Sequence, residues 1–151
     1  MSASFDQSLP VAIGCDHAGF AYKEKISALL RDQGWTINDH GAFSTDSVDY
    51  PDMAHPVAKQ VASAKAAFGI LICGSGNGVA ITANKEPQVR AALCWEQELA
   101  KLARAHNNAN IICIPARFVS EQLATQMVLD FMTTPFEGGR HQKRVDKIAG
   151  S

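Results

Sequence analysis

Residues 68–81 read FGILICGSGNGVAI: a continuous apolar run from Phe68 to Ile72 meets Cys73, and three alternating glycines, Gly74, Gly76 and Gly78, follow at once. A strand covered on both faces reads as such an uninterrupted run, whereas a half-exposed strand alternates. Glycines placed directly after it let backbone N–H groups close on an anion, because they accept unusual backbone angles and carry no side chain. The stretch therefore predicts a buried parallel strand that ends in an anion cradle.

Working outward, the same grammar repeats. VAIGC (11–15) reads as a first buried strand, and Phe20, Ile26, Leu29 and Leu30 recur at near-helical spacing over 19–33 until Gly34 stops them. WTIND (35–39) suits a second strand, STDSVDYPDM (44–53) a polar loop, and 53–66 an alanine-rich helix. After the strand at 68–73 come a short helix over 78–85, a strand over 90–94, a helix over 96–105, a strand over 110–114 and a long amphipathic helix over 119–133. The tail EGGRHQKRVDKIAG (137–150) resumes helical patterning after a glycine pair. Short apolar strands alternating with helices imply a parallel sheet covered on both faces. The expected fold is α/β: a Rossmann-like three-layer αβα sandwich with a five-stranded parallel sheet and a C-terminal helix. The 151 residues suit one domain over 1–151, with 1–9 as a loose N-terminal tail.

Composition narrows the function classes. A formal charge of −1, with 46% hydrophobic and 19% charged residues, offers no electrostatic reason to bind nucleic acid. No apolar run approaches the roughly 20 residues of a membrane span, and MSASFDQSLP has neither the basic start nor the apolar stretch of a signal peptide, so a cytoplasmic protein without a membrane partner is expected. The four cysteines, Cys15, Cys73, Cys94 and Cys113, are widely separated and form no CxxC, which suits reduced thiols. The five histidines form neither HExxH nor a zinc-spaced cluster with cysteine, so no metal is expected.

Ligands of open α/β sheets collect beyond the carboxyl ends of the strands, where Cys73 and its loop lie. The loop is no GxGxxG, because residue 79 is Val; it lacks the GK[ST] of a P-loop, and Cys73 stands where GxSxG would begin. A thiol there is either a small residue that ends a buried strand or, at the start of a helix, a nucleophile or base. CDHAG (15–19) delivers Asp16 and His17 to the same edge, as an acid/base pair beside the cradle or as an N-cap and a surface histidine. His106 and Asn107, in ARAHNNANI (103–111), precede the last strand and belong to the opposite edge. They are either a turn cluster or the part of a neighbour's site that a symmetric oligomer would complete. Arg140, Arg144 and Lys147 fall at i, i+4 and i+7, either a phosphate clamp or a solvated basic face, and Arg117 after the last strand is a further phosphate candidate.

Taken together and in order, GCDHAG (14–19), DYPD (49–52), ICGSGNGVAITANK (72–85), HNNAN (106–110) and GGRHQKR (138–144) resemble type B ribose-5-phosphate isomerases, a family that includes other sugar-phosphate isomerases such as galactose-6-phosphate isomerase subunits. The resemblance spans the whole chain. It implies an aldose–ketose isomerase that needs neither metal nor cofactor and takes a small phosphosugar. It also implies a homodimer or dimer of dimers with sites shared between subunits. By position, Cys73 matches the base that moves a proton between C2 and C1. Ser75 matches a hydroxyl that helps move the proton between O1 and O2. Asp16, with His106 from the partner, matches the residues assigned to ring opening. The amides of Gly74, Ser75, Gly76, Asn77 and Gly78 would hold the enediolate. His17, Arg117, Arg140 and Arg144 match phosphate contacts, while Tyr50 and Asn107 match residues lining the site. One branch of the family replaces the cysteine with a Glu after the last loop glycine, but here that position is Val79, which leaves Cys73 as the base. Rival readings are an isomerase of allose, galactose or tetrulose phosphate, a non-catalytic phosphosugar-binding subunit, and a thiol hydrolase using His17.

Overall fold

The computed structural model describes residues 4–150. Five strands, β1 (Val11–Cys15), β2 (Ile37–Asp39), β3 (Phe68–Cys73), β4 (Ala91–Leu93) and β5 (Ile111–Pro115), form one parallel sheet in the order β2-β1-β3-β5-β4. Six helices accompany them: α1 (Phe20–Asp32), α2 (Pro51–Ala62), α3 (Asn77–Ala83), α4 (Gln97–Ala105), α5 (Glu121–Thr133) and α6 (Arg140–Asp146). The α/β class, the parallel sheet and the C-terminal helix are as the sequence predicts.

The apolar runs explain the layering. Along β3 every residue is buried, yet Phe68, Ile70 and Ile72 pack into one core with α1, α4 and α5. Leu71 and Cys73 point the other way, into a core built on α2 and α3. The period of two splits a continuous apolar run between two cores, which is why β3 could not alternate. Chain order runs from β1 outward to β2 and then back to β3 on the other flank, so the crevice between β1 and β3 lies where the winding reverses. Cys15 and Cys73 end those two strands.

Several details depart from the sequence expectation: the second strand covers Ile37–Asp39 rather than 35–39, and the short helix after β3 covers Asn77–Ala83 rather than 78–85. Helix α2 starts at Pro51 rather than 53, because proline at the first turn gives up no needed N–H, and it ends at Ala62 rather than 66. The fourth strand shortens to Ala91–Leu93. The N-terminal segment is not loose where it is described. Ser4 donates its backbone N–H to the Met132 carbonyl at 2.7 Å, and Phe5 stacks on Phe68 and Phe131 with centroids 4.7 and 5.8 Å away. Residues 1–3 of that expected tail lie outside the described residues.

Phe5 also covers Arg104, the buried cation of α4, whose guanidinium carbon lies 4.3 Å from the Phe5 centroid. Arg104 is only 5% exposed and donates to the Asn108 side-chain oxygen (2.9 Å) and to the carbonyls of Ala109 (2.6 Å) and Thr134 (3.3 Å). Burial lowers its pKa to about 10, with Arg90 adding to the shift. It therefore pins the turn that carries His106 and Asn107 to the end of α5. Arg104→Met keeps the stem but strands these acceptors, and a loss of about 3 kcal/mol in unfolding free energy is expected from urea midpoints at unchanged slope. A loss below about 0.5 kcal/mol would mean the guanidinium is dispensable to the turn.

Candidate active site

At the carboxyl ends of β1 and β3 an open cleft of about 460 Å³ is lined by Asp16, Tyr50, Cys73, Gly74, Ser75, Gly78, Arg117 and Phe118. All but Phe118 are residues singled out from the sequence.

Local chemistry explains each placement. Cys73 is the last residue of β3 and only 4% exposed, packed against the core behind the cleft. The loop then turns through Gly76, whose φ of +74° is the left-handed region, and a side chain there would also strike Leu93. Gly78 faces the Tyr50 ring so closely that an added Cβ would lie 2.5 Å from it. The N–H groups of Gly74, Ser75 and Gly76 meet no acceptor among the described residues, while that of Asn77 donates weakly to Ser75 Oγ at 3.3 Å. Unsatisfied amides on a glycine loop are the donors an oxyanion needs. Arg117 is brought over Gly74 by backbone pairing: Ala116 donates to the Cys73 carbonyl at 2.9 Å and Arg117 to that of Gly74 at 3.0 Å.

Asp16 takes the N-cap position of one sequence reading and also lines the cleft. Its Oδ1 caps the following 3-10 turn, accepting from Ala18 N–H (2.9 Å) and Gly19 N–H (3.2 Å), while Oδ2 has no protein partner among the described residues. His17 stands beside the cleft rather than in its lining; Nδ1 accepts the Val48 N–H at 3.4 Å, which leaves Nε2 as the ring donor. Asn77 lines a neighbouring apolar cavity of about 390 Å³ with Ser75, Leu93, Trp95, Pro115 and Phe118. Phe118, 76% exposed at the rim shared by both cavities, has no sequence signal that could have found it, because a lone Phe after Arg117 carries no period.

The thiols divide clearly. Burial pushes Cys15 and Cys94 up to about 12, and Cys113 well above the ordinary thiol value, so those three are protonated packing residues. Cys73 is the cysteine that reaches the cleft.

The remaining predicted residues gather elsewhere. His106 caps the C-terminus of α4 and precedes β5, which places it with Asn107 at the amino ends of the strands. Helix α6 carries Arg140 and Arg144 there too: Glu137 donates its N–H to the Ala105 carbonyl at 3.0 Å, and His141 stacks on His106 with centroids 4.1 Å apart. Asn108, with φ of +48°, and Asn110, whose side chain bonds Arg90 N–H and the Gln88 carbonyl, serve the turn, whereas Asn107 is exposed. Within one chain, then, the structure brings Asp16, Cys73, Ser75, Tyr50 and Arg117 together and keeps His106, Asn107, Arg140 and Arg144 apart from them.

Residues 11–148 match the protein-family model described as Ribose/Galactose Isomerase. The chain is 43% identical over 138 residues to the ribose-5-phosphate isomerase B of Escherichia coli, covering 91% of this chain and 93% of that protein. Among solved structures it is similar to a ribose 5-phosphate isomerase from Thermotoga maritima (TM-score 0.91, 47% identity, covering 95% of this chain and 99% of that one). It is also similar to the ribose-5-phosphate isomerase B of Mycoplasma genitalium with bound ribulose-5-phosphate (TM-score 0.91, 42% identity, covering 95% and 96%). No helix among the described residues is long and apolar enough to cross a membrane.

Proposed function

The chain belongs to the ribose/galactose isomerase family, and from that premise we propose that it interconverts ribose 5-phosphate and ribulose 5-phosphate through an enediolate, with Cys73 as the base. The observation that carries the reading is the thiol of Cys73 at a cleft edged by amides without acceptors.

Chemistry follows from that geometry. The furanose is first opened by proton transfers between the ring oxygen and the anomeric hydroxyl, for which Asp16 Oδ2 is available on one side and His106 of a second copy on the other. The Cys73 thiolate then takes the proton from C2. The electron pair left on carbon forms the C1–C2 double bond, and the charge moves to O1, where the amides of Gly74, Ser75 and Gly76 can receive it. The Ser75 hydroxyl carries a proton from O2 to O1, and the thiol returns its proton to C1. A carbon-bound proton is weakly acidic, so this base works only if the oxyanion is held by donors already in place.

The phosphate would sit among Arg117, His17 Nε2 and the guanidiniums of Arg140 and Arg144. The last two lie at the other edge of the sheet in one chain, so the full constellation requires a second copy and the active form is a homodimer or a pair of dimers. No step calls for a metal or an organic cofactor.

The direct test is turnover of ribose 5-phosphate in excess chelator, with hexose and tetrose phosphates alongside. Pentose turnover undiminished by chelator is expected. Turnover confined to another sugar would move the substrate, and silence on all of them would end the catalytic reading.

A further inference from the structure

His106, Glu137 and His141 come from the end of α4, the loop after α5 and the first turn of α6, and their ligand atoms all lie within 4.8 Å of one another. Glu137 Oε1 is 3.5 Å from His141 Nε2 and 3.8 Å from His106 Nε2. These separations are long for hydrogen bonds. They approach the edge of a tetrahedron around Zn²⁺, about 3.3 Å when nitrogen and oxygen ligands sit near 2.0–2.2 Å from the metal.

A second observation singles out the same point. His141 is 7% exposed, and its Nε2 is buried with no hydrogen-bond partner, an arrangement that leaves a ring nitrogen's capacity unspent. The two rings lie within 13° of parallel, so their lone pairs do not yet converge; His106, with its side chain 37% exposed, has room to tilt. Two imidazoles and a single carboxylate suit ions that form directional bonds to imidazole nitrogen rather than hard cations such as Mg²⁺ and Ca²⁺, which take oxygen ligands.

We propose that His106, Glu137 and His141 form a binding site for a transition-metal dication of the Zn²⁺ type, and that its occupation stops turnover by withdrawing His106 from the substrate. The inhibitory half rests on the reading of His106 as a ring-opening residue; the binding half does not. The ion is a regulator or poison of the site, not a participant in the reaction.

The test is equilibrium dialysis of Zn²⁺ against the chelator-stripped protein, with turnover followed in parallel, for the parent chain, Cys73→Ala, His141→Asn and Glu137→Gln. One Zn²⁺ per chain is expected in the parent and equally in Cys73→Ala, which rules out the thiol as the ligand. Glu137 is exposed and outside the catalytic set, so Glu137→Gln should fold and keep its zinc-free turnover while binding Zn²⁺ at least about tenfold more weakly and resisting inhibition to match. Loss of binding in His141→Asn would agree, if its unfolding curve remains that of the parent. Absence of binding to the parent, or binding abolished by Cys73→Ala yet untouched by Glu137→Gln, would overturn the site. Binding without inhibition would overturn the inhibitory half alone. Dialysis reads Zn²⁺ directly, so it decides the binding half even for a chain inactive on every phosphosugar.

Discussion

Cys73→Ala is expected to lower kcat about a thousandfold or more while leaving the affinity for the phosphosugar within a few fold. On the proposed mechanism the thiol carries the proton between C2 and C1, and the other groups near it are poorly suited to that role. Asp16 has one carboxylate oxygen committed to the Ala18 and Gly19 amides, and the residue after the last loop glycine is the apolar Val79. Phosphate binding is assigned to arginines and a histidine that the substitution does not touch, so kcat and affinity should part. Folding is not at risk on this scale, because removing one sulfur from the end of β3 forfeits about 1 kcal/mol of packing. Steady-state kinetics together with calorimetric binding of ribose 5-phosphate decide the matter. Turnover within tenfold of the parent would dismiss Cys73 as the base. Loss of binding equal to the loss of kcat would make it a binding residue instead.

Two inactive chains, Cys73→Ala and His106→Ala, should regain activity when mixed. If each site takes Cys73 from one copy and His106 from the other, a hybrid dimer holds one doubly altered site and one intact site. Random exchange makes half of the dimers hybrids, so recovery to about a quarter of the parental rate is expected. The geometry behind this is a separation across the sheet: His106 stands at the amino ends of the strands, Cys73 at the carboxyl end of β3. No recovery, with subunit exchange demonstrated by mass, would place both roles within one chain or remove His106 from the reaction.

Much of the cleft is legible in the chain because its signals are local. A strand that ends in Cys73 must deliver it to the edge where the next loop begins, and glycines adjacent in sequence are adjacent in space. The same holds for Asp16 after β1 and Arg117 after β5. The residues without a sequence signal have the opposite character. Phe118 lines the cleft and Trp95 the cavity beside it without any motif, and Glu137 meets His106 and His141 only because α6 docks on the end of α4. The N-terminus reads as loose because one aromatic, Phe5, has no period, yet a ring between Phe68, Phe131 and Arg104 is held on three sides.

By itself, then, the sequence determined the order of strands and helices, the parallel sheet, the edge at which Cys73, Ser75 and Asp16 assemble, and the family to which the motifs point. Each of these follows from hydrophobic period, turn chemistry or chain order, which act over a few residues. Only the tertiary structure decided that Arg104 anchors the turn bearing His106, that α6 stacks His141 on His106 beside Glu137, and that Arg140 and Arg144 are thereby carried to the same edge of the sheet as His106. Those facts depend on which helix docks on which face, and docking is settled by the summed burial of side chains far apart in the chain, which no local pattern encodes.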